Sequence, residues 1–254
     1  MDEKIEKLAD LVIQGGGLVV FTGAGMSTES GIPDYRSPGG IWSRHKPVDF
    51  SEFLESPEAR EAYWRFYQEW YPGFTKAYPN QGHKALGRLW DAGLLTGVIT
   101  QNVDGLHQAG GVPDNAVVEL HGNVFETRCL DCGRFSEPTA EVLKRFRKGH
   151  KDPTCPSCGG RLKPATISFG QDLNLRDLEL ARHLCCEAQP LVVVGSSLVV
   201  SPAAELPRYT LGLGHDLVII NQTLTHLDPK AKLLFRRPAG EALAALADAL
   251  LKRK

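Results

Sequence analysis

The chain has 254 residues, 42% of them hydrophobic, enough to bury a full core and to form one large domain plus a small one. With 29 Lys and Arg against 30 Asp and Glu the net charge is -1, which gives no whole-chain electrostatic case for nucleic acid or an acidic membrane. No apolar run reaches spanning length and the acidic N-terminus lacks the pattern of a signal peptide, so neither a membrane nor direct nucleic-acid contact is expected, and a reducing, cytoplasmic setting is.

In chain order, Ile5, Leu8, Leu11 and Val12 have helical spacing, and the helix they predict stops at Gly15-Gly16-Gly17. Leu18 to Phe21 reads as a continuous apolar strand running through Thr22 into Gly23-Ala24-Gly25-Met26-Ser27, a strand, glycine turn and helix start. Residues 37 to 80 turn rich in Pro, Trp and Tyr, including Trp42, Tyr63, Trp64, Tyr67, Trp70 and Tyr71, which predicts a helical insertion with an aromatic face. A helix over 83–89 leads into the strand Gly97 to Ile99, and Val117, Val118 and Leu120 form another. A second insertion, 125–164, carries two cysteine pairs. The chain then resumes with an amphipathic stretch from Leu178 to Cys186, strands at Leu191 to Val194, Leu217 to Ile220 and Lys232 to Phe235, and a closing helix from Glu241 to Leu251. Cys185 and Cys186 read as small core residues. The expected fold class is α/β: a Rossmann-like doubly wound parallel sheet over 1–36, 83–124 and 165–254, with a smaller inserted domain made of a helical module, 37–82, and a zinc-ribbon module, 125–164.

Polar clusters stand where the apolar strands end, the place where open α/β sheets build their sites. Thr100 to Gln108 reads TQNVDGLHQ, and His121-Gly122-Asn123 follows the next strand. Any one of Gln101, Asn102, Asp104 or His121 alone would read as an ordinary loop residue. Their joint occurrence with a glycine loop points to a site. In that loop glycine permits close backbone approach, and a helix start would offer N–H groups to a phosphate. Thr28 stands where the dinucleotide fingerprint wants a third Gly, so an ordinary hydride-transferring dehydrogenase is disfavoured. Ser30 to Arg36 lacks helical periodicity and reads either as a flap carrying one cation, Arg36, over a ligand, or as a surface turn with Arg36 solvated.

Cys129-x-x-Cys132 and Cys155-x-x-Cys158, each followed by a glycine, indicate a tetrahedral four-sulfur zinc site that is structural rather than catalytic, with two redox pairs as the weaker reading. The run Lys144, Arg145, Arg147, Lys148, Lys151 is read as a solvated helix face, with acidic partners as the alternative.

GAGMSTESGIPDYR, TQNVDGLH, the His121-Gly122 pair, two C-x-x-C knuckles, SFGQ, GSSLVVSPAAELP and INQT occur in order over nearly the whole chain. This resembles the sirtuins, NAD-dependent protein-lysine deacylases. The resemblance implies a cleft between a Rossmann-like domain and a zinc-bearing small domain, holding NAD as co-substrate and an acyl-lysine protein or peptide. NAD would be held by Gly23, Ala24, Gly25, Ser27, Pro33, Asp34, Tyr35, Arg36, Gln101, Asn102, Asp104, Gly195, Ser196, Ser197, Asn221 and Gln222. His121, with Asn102 and Asp104, would be catalytic, His121 as general base on a ribose hydroxyl. The substrate would add as a strand along Ile167, Phe169, Gly170 and Gln171, with Ile167 and Phe169 lining the acyl-lysine tunnel.

Two departures stand out from the family pattern: Tyr35 replaces a common Phe, and Gln171 a common Glu, which could weaken peptide contacts. Members that remove succinyl or malonyl groups carry a Tyr and an Arg in the helical insertion. Trp64 and Tyr67 fall there in this chain, so neutral acyl groups, acetyl first, are expected, with a longer apolar channel as an option. The same motifs are compatible with ADP-ribosyl transfer to protein, and less so with a non-catalytic NAD-responsive module, which would need no base at His121.

Overall fold

Asp2 starts the first helix by accepting the Lys4 N–H at 3.0 Å, and α1 (Glu3–Gln14) buries Ile5, Leu8, Ala9 and Val12 along one face. In the computed structural model, which describes residues 2–253, it is followed by β1 (Leu18–Thr22), α2 (Phe50–Glu55), α3 (Pro57–Lys76), α4 (Gln81–Asp91), β2 (Leu95–Thr100), the one-turn α5 (Leu106–Ala109), β3 (Val117–Glu119) and β4 (Gly122–Cys129). Then come β5 (Ser136–Pro138), α6 (Thr139–Arg147), β6 (Leu162–Thr166), α7 (Leu175–Glu187), β7 (Leu191–Val194), α8 (Pro207–Gly212), β8 (Leu217–Ile220), β9 (Leu233–Phe235) and α9 (Ala239–Leu251). The chain divides into two units, one of Met1–Asp34, Tyr78–Leu120 and Asn174–Lys254, the other of Tyr35–Ala77 and His121–Leu173. Among the described residues no helix is long and apolar enough to cross a membrane.

The first unit is built on a six-stranded sheet of order β3-β2-β1-β7-β8-β9, parallel throughout. Alternate side chains of each strand serve different cores. Val20, Val98, Val192, Val194 and Ile220 pack with Leu8, Val12, Leu86, Leu243 and Leu246 of α1, α4 and α9. Val19, Phe21, Ile99, Val193 and Ile219 pack with Ala181 and Cys185 of α7 and with Leu206. Burial on both faces is why these strands are continuous apolar runs rather than alternating ones. From β1 the chain winds outward through β2 to β3, then returns to β7 on the other side of β1. That reversal sets the C-terminal ends of β1 and β7 side by side, the topological switch point of a doubly wound sheet.

The second unit holds a three-stranded antiparallel sheet, β5-β4-β6, with α2, α3 and α6. Ser56 caps α3 by accepting the Ala59 N–H at 3.1 Å, and Pro57 occupies its first turn. Trp64 is fully buried, and Tyr63 meets Phe53 edge-on at 5.0 Å and stacks on Tyr67 at 5.1 Å between ring centroids. Arg60 grips both carboxylate oxygens of Asp152 at 2.8 to 3.0 Å and donates to the Phe53 carbonyl at 3.0 Å, tying α3 to the segment after α6. Tyr35, Arg36, His121–Asn123 and 165–173 fall with the second unit. The cause is the β4–β6 ladder, which pairs Gly122 with Thr166 and draws both flanking segments to the small sheet.

Candidate active site

At the switch point two loops are pressed together. Gly23 N–H donates to the Val194 carbonyl at 3.0 Å and Gly25 N–H to the Gly195 carbonyl at 2.9 Å. Gly195 has φ +61°, and a Cβ there would lie 2.3 Å from the Met26 nitrogen; one on Gly25 would lie 2.9 Å from the Gly195 Cα. The expected α-helix start after the glycine loop is absent. Ala24–Met26 and Thr28–Ser30 form two 3-10 turns, closed by Gly31 at φ +85°, because clamping Gly25 on Gly195 turns the chain before a regular helix can propagate.

Beside this loop the TQNVDG segment forms a buried network. Ser27 Oγ donates to Asp104 Oδ2 at 2.6 Å, Asn102 Nδ2 donates to Ser27 Oγ at 3.1 Å, and the Leu106 N–H donates to Asp104 Oδ1 at 3.0 Å. Asn102 and Asp104 are each 5% exposed. Burial pushes the Asp104 carboxyl above its ordinary range, against the opposing pull of the Ser27 and Leu106 hydrogen bonds. Ser27 has one proton, given to Asp104, so its oxygen accepts from Asn102. That orients the carboxamide with Nδ2 toward Ser27 and leaves Oδ1 to accept from a ligand hydroxyl. Gln101 Oε1 accepts the Ser196 hydroxyl at 2.7 Å, linking the ends of β2 and β7. Ser196 Oγ also receives the Leu198 N–H at 3.2 Å, and Leu198, at φ +52°, is the one non-glycine residue with positive φ among the described residues. Ser197 and Gln222 are exposed, whereas Asn221 is buried, its Nδ2 bound to the Thr223 carbonyl and hydroxyl at 3.0 Å each. Pro33 and Asp34 are half-buried at the end of this unit's first segment.

In the second unit, His121 precedes Gly122, whose φ of +69° lets the chain pass within contact of Ala165; a Cβ there would lie 1.8 Å from the Ala165 carbonyl oxygen. The His121 carbonyl accepts the Ile167 N–H at 2.9 Å, so His121 and the segment 167–171 are braced against each other. Phe169 is 39% exposed, its carbonyl accepts the Phe50 N–H at 2.8 Å, and its ring lies 6.1 Å from that of Trp42, which also packs on Tyr35 at 5.4 Å. Gln171 turns back on the chain, accepting the Ser168 N–H through Oε1 at 3.1 Å around Gly170 at φ +76°. Arg36 is exposed. Tyr63 and Tyr67 hydroxyls converge on Thr166 Oγ1 at 3.2 and 2.6 Å, and the buried Lys163 ammonium donates to the Thr166 carbonyl and sits 5.3 Å over the Tyr63 ring. Sequence reading missed this cluster, since a lysine in a core has no pattern that announces it.

The four sulfurs of Cys129, Cys132, Cys155 and Cys158 all lie within 4.8 Å of one another. Cys129 and Cys158 Sγ are 3.6 Å apart, close to the edge of about 3.8 Å that zinc–sulfur bonds of about 2.3 Å require in a tetrahedron. Gly133 and Gly159 have φ of +64° and +74°, turning each knuckle, and the Cys132 and Gly160 N–H groups donate to Cys129 and Cys158 sulfurs at 3.4 Å each. Donor set and spacing fit one structural zinc.

Fold and site thus define a doubly wound α/β protein with a buried polar network at its strand ends and, in its second unit, a four-cysteine cluster that fits zinc. The chain belongs to the Sir2 family, whose model matches residues 23–202. It is 44% identical over 239 residues to an NAD-dependent protein deacetylase of Rhodopseudomonas palustris, covering 94% of both chains. It is 40% identical over 253 residues to NAD-dependent protein deacylase 2 of Pyrobaculum aerophilum, covering 97% of this chain and 96% of that one. Among solved structures, a Sir2 with a p53 peptide and NAD+ superposes with TM-score 0.83 at 35% identity over 97% of each chain. Another, with a propionylated peptide, does so with TM-score 0.85 at 36% identity over 98% of each.

Proposed function

We propose that this chain is an NAD-dependent protein-lysine deacetylase, which cleaves NAD to nicotinamide and moves the acyl group of a lysine to ADP-ribose, giving O-acetyl-ADP-ribose. The observation that carries the reading is the buried Ser27–Asn102–Asp104 network at the strand ends, together with family membership. NAD supplies the electrophilic ribose carbon and the leaving nicotinamide. Breaking that glycosidic bond builds positive charge on the ribose, and a water-poor site with oriented polar groups stabilises it. The Asp104 carboxylate receives donors on both oxygens, the pattern of an ionised group, and Asn102 Oδ1 is set to accept a ribose hydroxyl. Gly23, Ala24 and Gly25 would approach the pyrophosphate with no side chain larger than a methyl between, while Ser196, Ser197, Asn221 and Gln222 would hold the adenosine half at the ends of β7 and β8. Pro33, Asp34, Tyr35 and Arg36 would cover the nicotinamide side.

The acyl carbonyl oxygen would bond to the ribose carbon that nicotinamide leaves. His121 would then take the proton of a ribose hydroxyl as that oxygen attacks the acyl carbon, a task suited to an imidazole near neutral pH, and water would displace the lysine amine. The acyl-lysine peptide would add as a strand along 167–171, with Ile167 and Phe169 around the lysine stem and recognition made mainly through the main chain. Neutral acyl groups are favoured: Lys163 already serves the Thr166 carbonyl, and Tyr67 its hydroxyl. The domains are proposed as a Rossmann-like part, 1–36, 83–124 and 165–254, and insertions 37–82 and 125–164, working in a reducing cytoplasm where four thiols remain available to zinc. His121→Ala tests the central role. Calorimetry should show NAD still bound while deacetylation disappears; turnover at the wild-type rate would remove His121 from the chemistry.

A further inference from the structure

Two histidines that the proposed chemistry does not use are sealed within the first unit. His83, on α4, is 0% exposed and His107, on α5, is 1% exposed, with ring centroids 5.0 Å apart. His83 Nδ1 accepts the Asn80 N–H at 3.3 Å, so its proton sits on Nε2, an atom with no hydrogen-bond partner. His107 Nε2 lies 2.8 Å from Thr22 Oγ1, and the Thr22 hydroxyl donates to Thr100 Oγ1 at 2.7 Å. A hydroxyl has one proton, so Thr22 accepts from His107, whose proton must also be on Nε2 and whose bare Nδ1 has no partner. His83 Nε2–H is thus an unmatched donor and His107 Nδ1 an unmatched acceptor, on rings whose centroids are 5.0 Å apart. Thr100 Oγ1 finally accepts the backbone N–H of Asn102 at 3.0 Å. Burial keeps both rings neutral, lowering His83 to about 4 and His107 well below its ordinary value.

A pair of imidazoles with unmet nitrogens in a core carries a desolvation cost that two apolar side chains would not. What His107 supplies in return is direction: its Nε2–H donates to Thr22, Thr22 donates to Thr100, and Thr100 Oγ1 accepts the Asn102 backbone N–H. We infer that His107 is a positioning residue for Asn102, its neutral Nε2–H fixing the Thr22–Thr100 pair that holds the Asn102 backbone. The inference rests on the reading of Asn102 as part of the NAD site, and three measurements separate the two.

Nitrogen-15 NMR of the labelled wild-type protein at pH 7 should show both histidines neutral and protonated at Nε2; His107 as the Nδ1–H tautomer or as imidazolium overturns the inference. His107→Phe keeps the ring volume without the donor, whereas His107→Gln returns an amide N–H at about the reach of Nε2. In the Phe variant, hydrogen-exchange protection of the Asn102 amide should fall at least tenfold and kcat should fall by a similar factor with the peptide KM unchanged. The Gln variant should recover most of both. Equal behaviour of the two variants, whether both intact or both impaired, overturns the inference. If the wild-type protein fails to deacetylate at all, the functional reading falls, while the tautomer and the Asn102 amide protection still decide this one.

Discussion

Gly195→Ala isolates the close approach at the switch point. Placing any L side chain at φ +61° costs about 1 kcal/mol. The new Cβ would also stand 2.3 Å from the Met26 nitrogen and 2.5 Å from the Gly25 carbonyl carbon, backbone atoms that cannot swing aside as a flexible side chain does. The two loops must separate by more than an ångström, on the order of the gap to ordinary van der Waals contact, and the Gly25 N–H to Gly195 carbonyl bond of 2.9 Å is lost, about 1 kcal/mol more. With strain in the displaced loops, the sum is about 3 kcal/mol, or a melting temperature lower by about 6–12 °C for a chain of this size. Gly214→Ala is the control. Its φ is +75° but nothing lies within 4 Å of its Cβ, so only the conformational cost of about 1 kcal/mol applies. Calorimetric melting of both variants, with NAD titrations, should show Gly195→Ala the less stable by about 2 kcal/mol and alone in losing NAD affinity. Equal melting shifts, or undiminished NAD binding by Gly195→Ala, would refute the clamp.

Asp104→Asn should separate stability from activity. Folding raises the pKa of this carboxyl, so its ionised form is penalised in the folded state: the penalty is absent below the ordinary carboxyl value, sets in as pH rises through the folded value, and is full at neutrality. The amide escapes that penalty but turns an NH2 toward one of the two donors Asp104 accepts, so kcat/KM should fall and the stability of the Asn variant relative to wild type should rise from acid to pH 7; a stability difference that does not change with pH would contradict the assignment. Zinc analysis should return one ion per chain, and chelation should melt the three-stranded sheet, since structural zinc binding in small modules is worth about 10–16 kcal/mol. Activity and melting that both survive complete metal removal would exclude a structural role.

Much of the first unit was legible because a parallel strand buried on both faces must be apolar throughout: Leu191–Val194 and Leu217–Ile220 stand out as four-residue runs and occur as β7 and β8. The strand-end polar residues could be picked out for the same reason, each following such a run. The small sheet was not legible. Its core holds Thr127 bonded to Thr139 and the buried Lys163, so β4 and β6 lack a clean period. The 3-10 turns after Gly23 and the positive φ of Leu198 depend on the fit of the Gly195 loop, a contact between residues some 170 positions apart that local pattern does not carry. His83 and His107 escaped for a similar reason: a single histidine on a helix announces nothing until its neighbour across the fold is known.

The most direct test of the central claim is mass spectrometry of the products formed from NAD and an acetyl-lysine peptide. Nicotinamide, deacetylated peptide and O-acetyl-ADP-ribose should appear in equal amounts. Nicotinamide with ADP-ribose attached to protein and the peptide still acetylated, or no consumption of NAD with any acyl peptide, would contradict that claim.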